Sequence, residues 1–277
     1  MPMRWLSCAT IFLLVSVITM PRFASSYSPL PPPNQNQNII PGSKLNPADI
    51  YDPNTMSGPL GRQADDFFLQ TFRKALATSL LQSESDFQPG YDGMIDMIRK
   101  IHSASPTQSS CVQKSRATLQ SLFPDWPPSP KSTTGLLYWF KILFSTPFPS
   151  FSSKLNAYIT CACSQWLMGP SSLLPLPSSS SSGSGSNNLV EIKRCRYLEA
   201  TKCASICVNT CKLPTQQFFN EDMGVKMRIV PDYESYGCRF EFGVEPTEED
   251  ERLAKDVKCF AECPSGGEER RRLSCMN

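Results

Sequence analysis

The chain has 277 residues, enough for one domain with a substantial hydrophobic core plus appendages. Its 27 basic and 25 acidic residues nearly cancel, and a formal charge of +2 gives no electrostatic drive toward nucleic acid. The only histidine, His102, argues against multi-histidine metal centres, bis-histidine haem and Ser-His or Cys-His nucleophilic catalysis. At the end of a predicted helix, His102 is explained by a favourable interaction with the helix dipole.

At the N-terminus, Arg4 precedes the apolar run "WLSCATIFLLVSVITM", and Pro21 and "FASS" follow. This is the pattern of a targeting leader over residues 1–26, with a membrane anchor as the alternative. The first acidic residue of the chain is Asp49, and residues 27–60 are rich in serine, proline and asparagine. They are expected to form a disordered, transit-like arm. Leader and arm together suit entry into a plastid, whereas the leader alone would suit the secretory pathway.

Helical periodicity begins near Arg62. In "RQADDFFLQTFRKALATSLLQ" the apolar positions recur every three to four residues, predicting an amphipathic helix. "PGYDGMIDMIRKIHS" predicts a second, broken from the first by Pro89-Gly90, with Met94, Ile95, Met97, Ile98 and Ile101 inward. "CVQKSRATLQSLFP" predicts a third. "TTGLLYWFKILFSTPF" and "FSSKLNAYITCACSQWLMGP" predict two more, both unusually apolar; the aromatic run suits a core position better than a ligand groove. Residues 171–189, "SSLLPLPSSSSSGSGSNN" and its flank, read as a low-complexity loop.

Beyond the loop the chain changes character. A helix is predicted through "NLVEIKRCRYLEATKCASICVNTCKLP", ended by Pro214. "GVKMRIV" and "GCRFEFGV" alternate at period two around "PDYESYG", which predicts a β-hairpin. Cys238, Phe240 and Phe242 then share one strand face, turned toward a covering element expected to be the cysteine helix. The fold class is therefore α+β: a mainly helical domain, residues 61–264, with a cysteine-bearing helix and β-hairpin in its core at 190–264 and a flexible tail at 265–277. "EPTEEDER" is expected to be solvated charged surface.

Eight of the twelve cysteines follow residue 194. A disulfide framework is one account of them. Loss of Cys8 with the leader would leave an odd number, however, and thiols four apart on a helix project in nearly parallel directions rather than at each other. A metal site suits Cys203, Cys207 and Cys211 better, with Cys195, Cys238, Cys259 and Cys263 as further candidate ligands for zinc or iron. On a straight helix Cys203 and Cys211 would stand roughly 12 Å apart, so the helix must unwind or only two of the three can bind. Cys161 and Cys163 suit small apolar filler. No glycine-rich phosphate loop, dinucleotide fingerprint or GxSxG elbow occurs, so the sequence names no catalytic residue.

"GYDGMIDMI", "CSQWLMGP", "RCRYLEATKCASICVNTCKLPTQQFF", "MGVKM", "CRFEFGVEP" and "CFAEC", in this order, resemble the plastid β-carotene isomerase family of strigolactone biosynthesis, the dwarf twenty-seven-like proteins. The resemblance spans about residues 62–264. It implies an iron-containing plastid enzyme that interconverts all-trans- and 9-cis-β-carotene, or a paralogue acting on a related carotenoid; an iron–sulfur cluster is the form of iron whose transient electron transfer would suit that reaction. Its substrate would be a carotenoid; because a C40 hydrocarbon resides in membranes, peripheral contact with a plastid membrane surface is expected, and an electron donor is a further candidate partner. Two other readings accompany it: a non-catalytic iron–sulfur carrier or scaffold of the same fold, and a module stabilised by zinc or disulfides.

Overall fold

The computed structural model describes residues 60–130, 134–176, 187–255 and Phe260. The expectations for the leader, most of the arm and the tail fall outside these residues. The first three helices form where periodicity places them: α1 (Arg62–Leu80), α2 (Gly90–Ser103) and α3 (Gln108–Ser121). All five predicted inward residues of α2 are buried. Thr107 caps α3 through its side chain, which accepts from the Ser110 amide while Ser110 returns a bond to Thr107, satisfying two amides that the helix start leaves open.

Gly93 explains part of the "GYDGM" run. A Cβ there would lie 1.7 Å from the Gln88 carbonyl oxygen and 2.6 Å from the Arg73 guanidinium, so only glycine lets α2 close onto the turn before it. Arg73 uses that approach: buried between α1 and α2, it donates to Glu84 and to the Gly90 carbonyl.

The chain continues through α4 (Gly135–Phe140), a wide π turn at Lys141–Ser145, α5 (Pro149–Cys163) and the short α6 (Gln165–Met168). Here the sequence expectation is corrected. Leu137 is buried, but Ile142, Leu143 and Phe144 are exposed, so the aromatic run is core only in its first half.

The sheet is also larger than a hairpin. β1 (Ser171–Leu174) and β2 (Leu189–Ile192) pair antiparallel, and β2 pairs with β4 (Gly237–Phe242), which pairs with β3 (Met227–Asp232), giving the order β1-β2-β4-β3. "SSLL", expected in a loop, is thus an edge strand. "LVEI", expected to begin the cysteine helix, is a central strand. Four-residue strands carry too little alternation to declare themselves, and these are fixed by partners distant in sequence. The β3–β4 hairpin turns at 233–236 as predicted, and Phe240 and Phe242 are buried on the face they share with Cys238. The main covering helix over β1, β2 and β4 is α5, whereas the cysteine helix meets the sheet along β3.

After α7 (Arg196–Thr201) the cysteine helix runs without a break from α8 (Ala204–Ile206) through a π turn at Cys207–Lys212, α9 (Leu213–Gln217) and a second π turn at Phe218–Met223. Pro214 does not end it. The preceding π turn shifts the hydrogen-bond register at the point where the ring would collide with the carbonyl four residues back and where its missing N–H would leave a gap. The helix stops at Gly224, in left-handed conformation at φ 68°. Gln216 and Asn220 then bond the backbone of β3 at Ile229 and Met227. The final helix, α10 (Glu248–Lys255), carries the acidic run, largely exposed as expected.

Candidate sulfur-lined site

Cys195 precedes α7, Cys207 and Cys211 bracket the first π turn, and Cys238 sits on β4. All four are free thiols, and no disulfide joins them among the described residues. Their side chains approach one another closely enough that ionising one resists ionising the next. Burial, then repulsion from Cys211 and Cys195, drives Cys207 well above its ordinary value. Burial, then Cys195, Cys207 and Cys211, does the same to Cys238. The Cys211 thiol is pushed up to about 12 by burial and Cys195, and Cys195 to about 11, mainly by burial.

Cys203 is buried at the N-cap of α8, its carbonyl accepting from the Cys207 amide. Cys259 and Cys263 lie outside the described residues. Phe260, between them, does not: its ring stacks on Tyr236 and meets Tyr233 edge-on. Cys161 lies elsewhere, half-buried and bonded to Ser171.

Three residues that the sequence reading did not single out complete the surroundings. The Tyr233 hydroxyl donates to the Cys207 sulfur and so favours its thiolate. Lys212 is buried, its pKa lowered by burial, and its ammonium faces Cys207 and Cys238 while donating to the Asp250 carbonyl. Tyr197 is buried with its hydroxyl hydrogen-bonded to Thr210. Their only signal in sequence was proximity to cysteines.

The chemistry of the donor set fits a soft cation: buried thiols that oppose one another's ionisation would all gain by sharing a positive centre. In spacing, no three His, Cys, Asp or Glu side chains among the described residues converge closely enough to hold an ion.

Cys211 and Tyr197 also line a small cleft of about 50 Å³ that opens to solvent. Its other walls are mostly apolar, including Phe72 and Leu76 of α1, Ile98 and Ile101 of α2 and Leu119 of α3, with hydroxyls from Ser115, Thr118, Thr210 and Thr215. Sulfur and an apolar cleft therefore share a wall.

His102 stands apart from this chemistry. It is buried in the last turn of α2, with Nε2 3.0 Å from Ser205 Oγ, and burial lowers its pKa below the ordinary 6.5. Burial, rather than the helix dipole, thus governs it. With the folded-state pKa below that of the unfolded chain, stability is intact above about pH 6.5 and falls as the pH drops through the folded value. In denaturant titrations at pH 7.5 and 5.5, the parent should lose more stability than His102→Gln, which keeps a hydrogen-bonding partner for Ser205.

Comparison with known sequences matches residues 166–251 to the family described as β-carotene isomerase D27-like, C-terminal. This part of the chain is similar to a D27-like C-terminal domain. A β-carotene isomerase D27, chloroplastic, from Medicago truncatula is 35% identical over 117 residues, covering 42% of this chain and 45% of that protein. The Arabidopsis thaliana protein of the same name is 31% identical over 124 residues, covering 45% and 46%. The chain thus spans about half the length of the curated relatives it matches. No solved structure matches. The D27-like segment contains Cys195, Cys203, Cys207, Cys211 and Cys238, whereas α1 to α3, which complete the pocket, precede it.

Proposed function

We propose that this chain catalyses cis/trans isomerisation of a carotenoid, most concretely all-trans-β-carotene to its 9-cis isomer, in the plastid. The observation that carries the reading is the shared wall: an apolar pocket into which Cys211 and Tyr197 of the sulfur cluster project. A polyene offers nothing for a general acid or base to grip, so a largely hydrocarbon lining suits it. The names of the two relatives, both chloroplastic β-carotene isomerases, support substrate class and compartment.

Iron, as an iron–sulfur centre, is the proposed cofactor, with Cys195, Cys203, Cys207, Cys211, Cys238, Cys259 and Cys263 as its candidate ligands; since no three side chains among the described residues converge closely enough to hold an ion, the described sulfurs would have to draw together around it. Such a centre supplies reversible electron transfer, which lowers the order of a double bond without net redox change. The rest falls to the chain. Phe72, Leu76 and Ile98 exclude water and align the polyene, the Thr210 hydroxyl fixes the Tyr197 ring at the wall, and Tyr233 holds the Cys207 sulfur. An electron donor would be needed to set the centre's resting state.

The test is anaerobic purification of the full chain, metal analysis, and separation of carotene isomers after incubation with all-trans-β-carotene in detergent. Leu119→Trp, which fills the half-buried rim of the pocket, is expected to cut turnover about ten-fold or more while leaving iron content and melting temperature in place. Iron without any isomerisation by the parent chain would instead favour a carrier or scaffold.

A further inference from the structure

α5 is built inside-out. It packs on β1, β2 and β4, and its buried residues are the small or polar Ser152, Ser153, Asn156, Ala157 and Ala162. Phe151, Leu155 and Tyr158, spaced four and three apart, share another side, on which Phe151 and Tyr158 are exposed. Just before it stand Phe148, 58% exposed, and Leu143, 54% exposed, with Ile142 and Phe144 beside Leu143. Large apolar groups on the solvent side and small polar ones inside reverse the ordinary economy of a helix. Such a contiguous surface calls for an apolar partner.

Charge identifies that partner. From Asp125 to Glu191 the chain has no intervening acidic residue, and Lys154, between Phe151 and Tyr158, is exposed, while the Lys141 ammonium donates to the Glu221 carbonyl. A second copy docked face to face would oppose lysine to lysine with no carboxylate from this stretch to pair them. Anionic lipid headgroups would neutralise Lys154 while Phe148, Phe151 and Leu143 enter the acyl boundary and Tyr158 sits at the headgroup level. Among the described residues no helix is long and apolar enough to cross a membrane, so the contact is one of lying on the bilayer.

We propose that residues 141–158 form a docking surface for an anionic lipid bilayer. The surface lies outside the D27-like segment and does not depend on the isomerase reading: a protein that leaves carotene unchanged could still show it.

The test is hydrogen exchange on the full chain, alone, with phosphatidylcholine vesicles, and with vesicles enriched in phosphatidylglycerol. Following peptides from 141–158 keeps the readout separate from any lipid affinity of the N-terminal apolar run. Slower exchange there with lipid, stronger with phosphatidylglycerol, is expected. At subsaturating lipid, Phe148→Ser with Phe151→Ser should reduce the protected fraction roughly ten-fold without lowering the melting temperature. Unchanged exchange over 141–158 in vesicle-bound protein would overturn the proposal. So would protection without lipid that rises with protein concentration, which would mark a contact between copies, or protection that survives both substitutions.

Discussion

Cys207→Ser and Cys238→Ser are each expected to deplete the protein of iron and to lower carotene isomerisation by at least about 100-fold. The two sulfurs come from different elements, the wide turn of the cysteine helix and strand β4, and the Cys207 sulfur raises the cost of ionising Cys238. Serine preserves shape but is a poor ligand for soft iron, so the loss should appear in metal content as much as in rate. Cys161→Ser is the control: its thiol is engaged with Ser171, and iron and activity should be unchanged. Full iron content in both cluster variants would remove these sulfurs from the proposed centre, and full activity without iron would remove iron from the reaction.

Arg116→Met should cost about 3–5 kcal/mol, lowering the melting temperature by roughly 10 °C. Arg116 reaches from α3 to Asp222 in the second π turn, donating through Nε at 2.9 Å and Nη2 at 2.7 Å, and also pairs with Glu221. The Asp222 side chain is 3% exposed and receives a third bond from Gln120 at 2.9 Å. Without the guanidinium it becomes a buried carboxylate held by one amide. The same turn seats Phe218 and Phe219, with Phe219 edge-on to the fully buried Phe242 of β4. Loosening it should be felt in the sheet as well. Adding Asp222→Asn to the variant should recover part of the loss, because the unpaired charge is then gone; additive losses in a double-mutant cycle would show the pair is uncoupled.

The long helices α1 to α3 were legible because each has enough turns for its apolar spacing to repeat. The β3–β4 hairpin was legible because alternation and turn residues agree. β1 and β2 were not, since "SSLL" and "LVEI" become strands only by pairing across residues distant in sequence. Pro214 misled because its usual effect on a helix is cancelled by a turn geometry that composition does not announce.

At the candidate site the cysteines were visible as sulfur and their spacing suggested a shared site, but among the described residues no three of them converge closely enough to hold an ion. Tyr233 and Lys212 were invisible because their roles come from folding rather than from motif. The exposed half of "LLYWFKILF" reversed its expectation for a plain reason: apolar composition says a surface wants cover, but not whether protein or something else supplies it.

The two wide turns of the cysteine helix have one more consequence. Each holds an extra residue relative to a regular helical repeat, and everything downstream is phased to that surplus. Dropping a single residue within 207–212 would swing the following segment by about 100°, carrying Gln216 away from Ile229 and turning both phenylalanines out of their seats. At this point the sequence specifies a count as well as a chemistry, so a one-residue gap would do more harm than most point replacements.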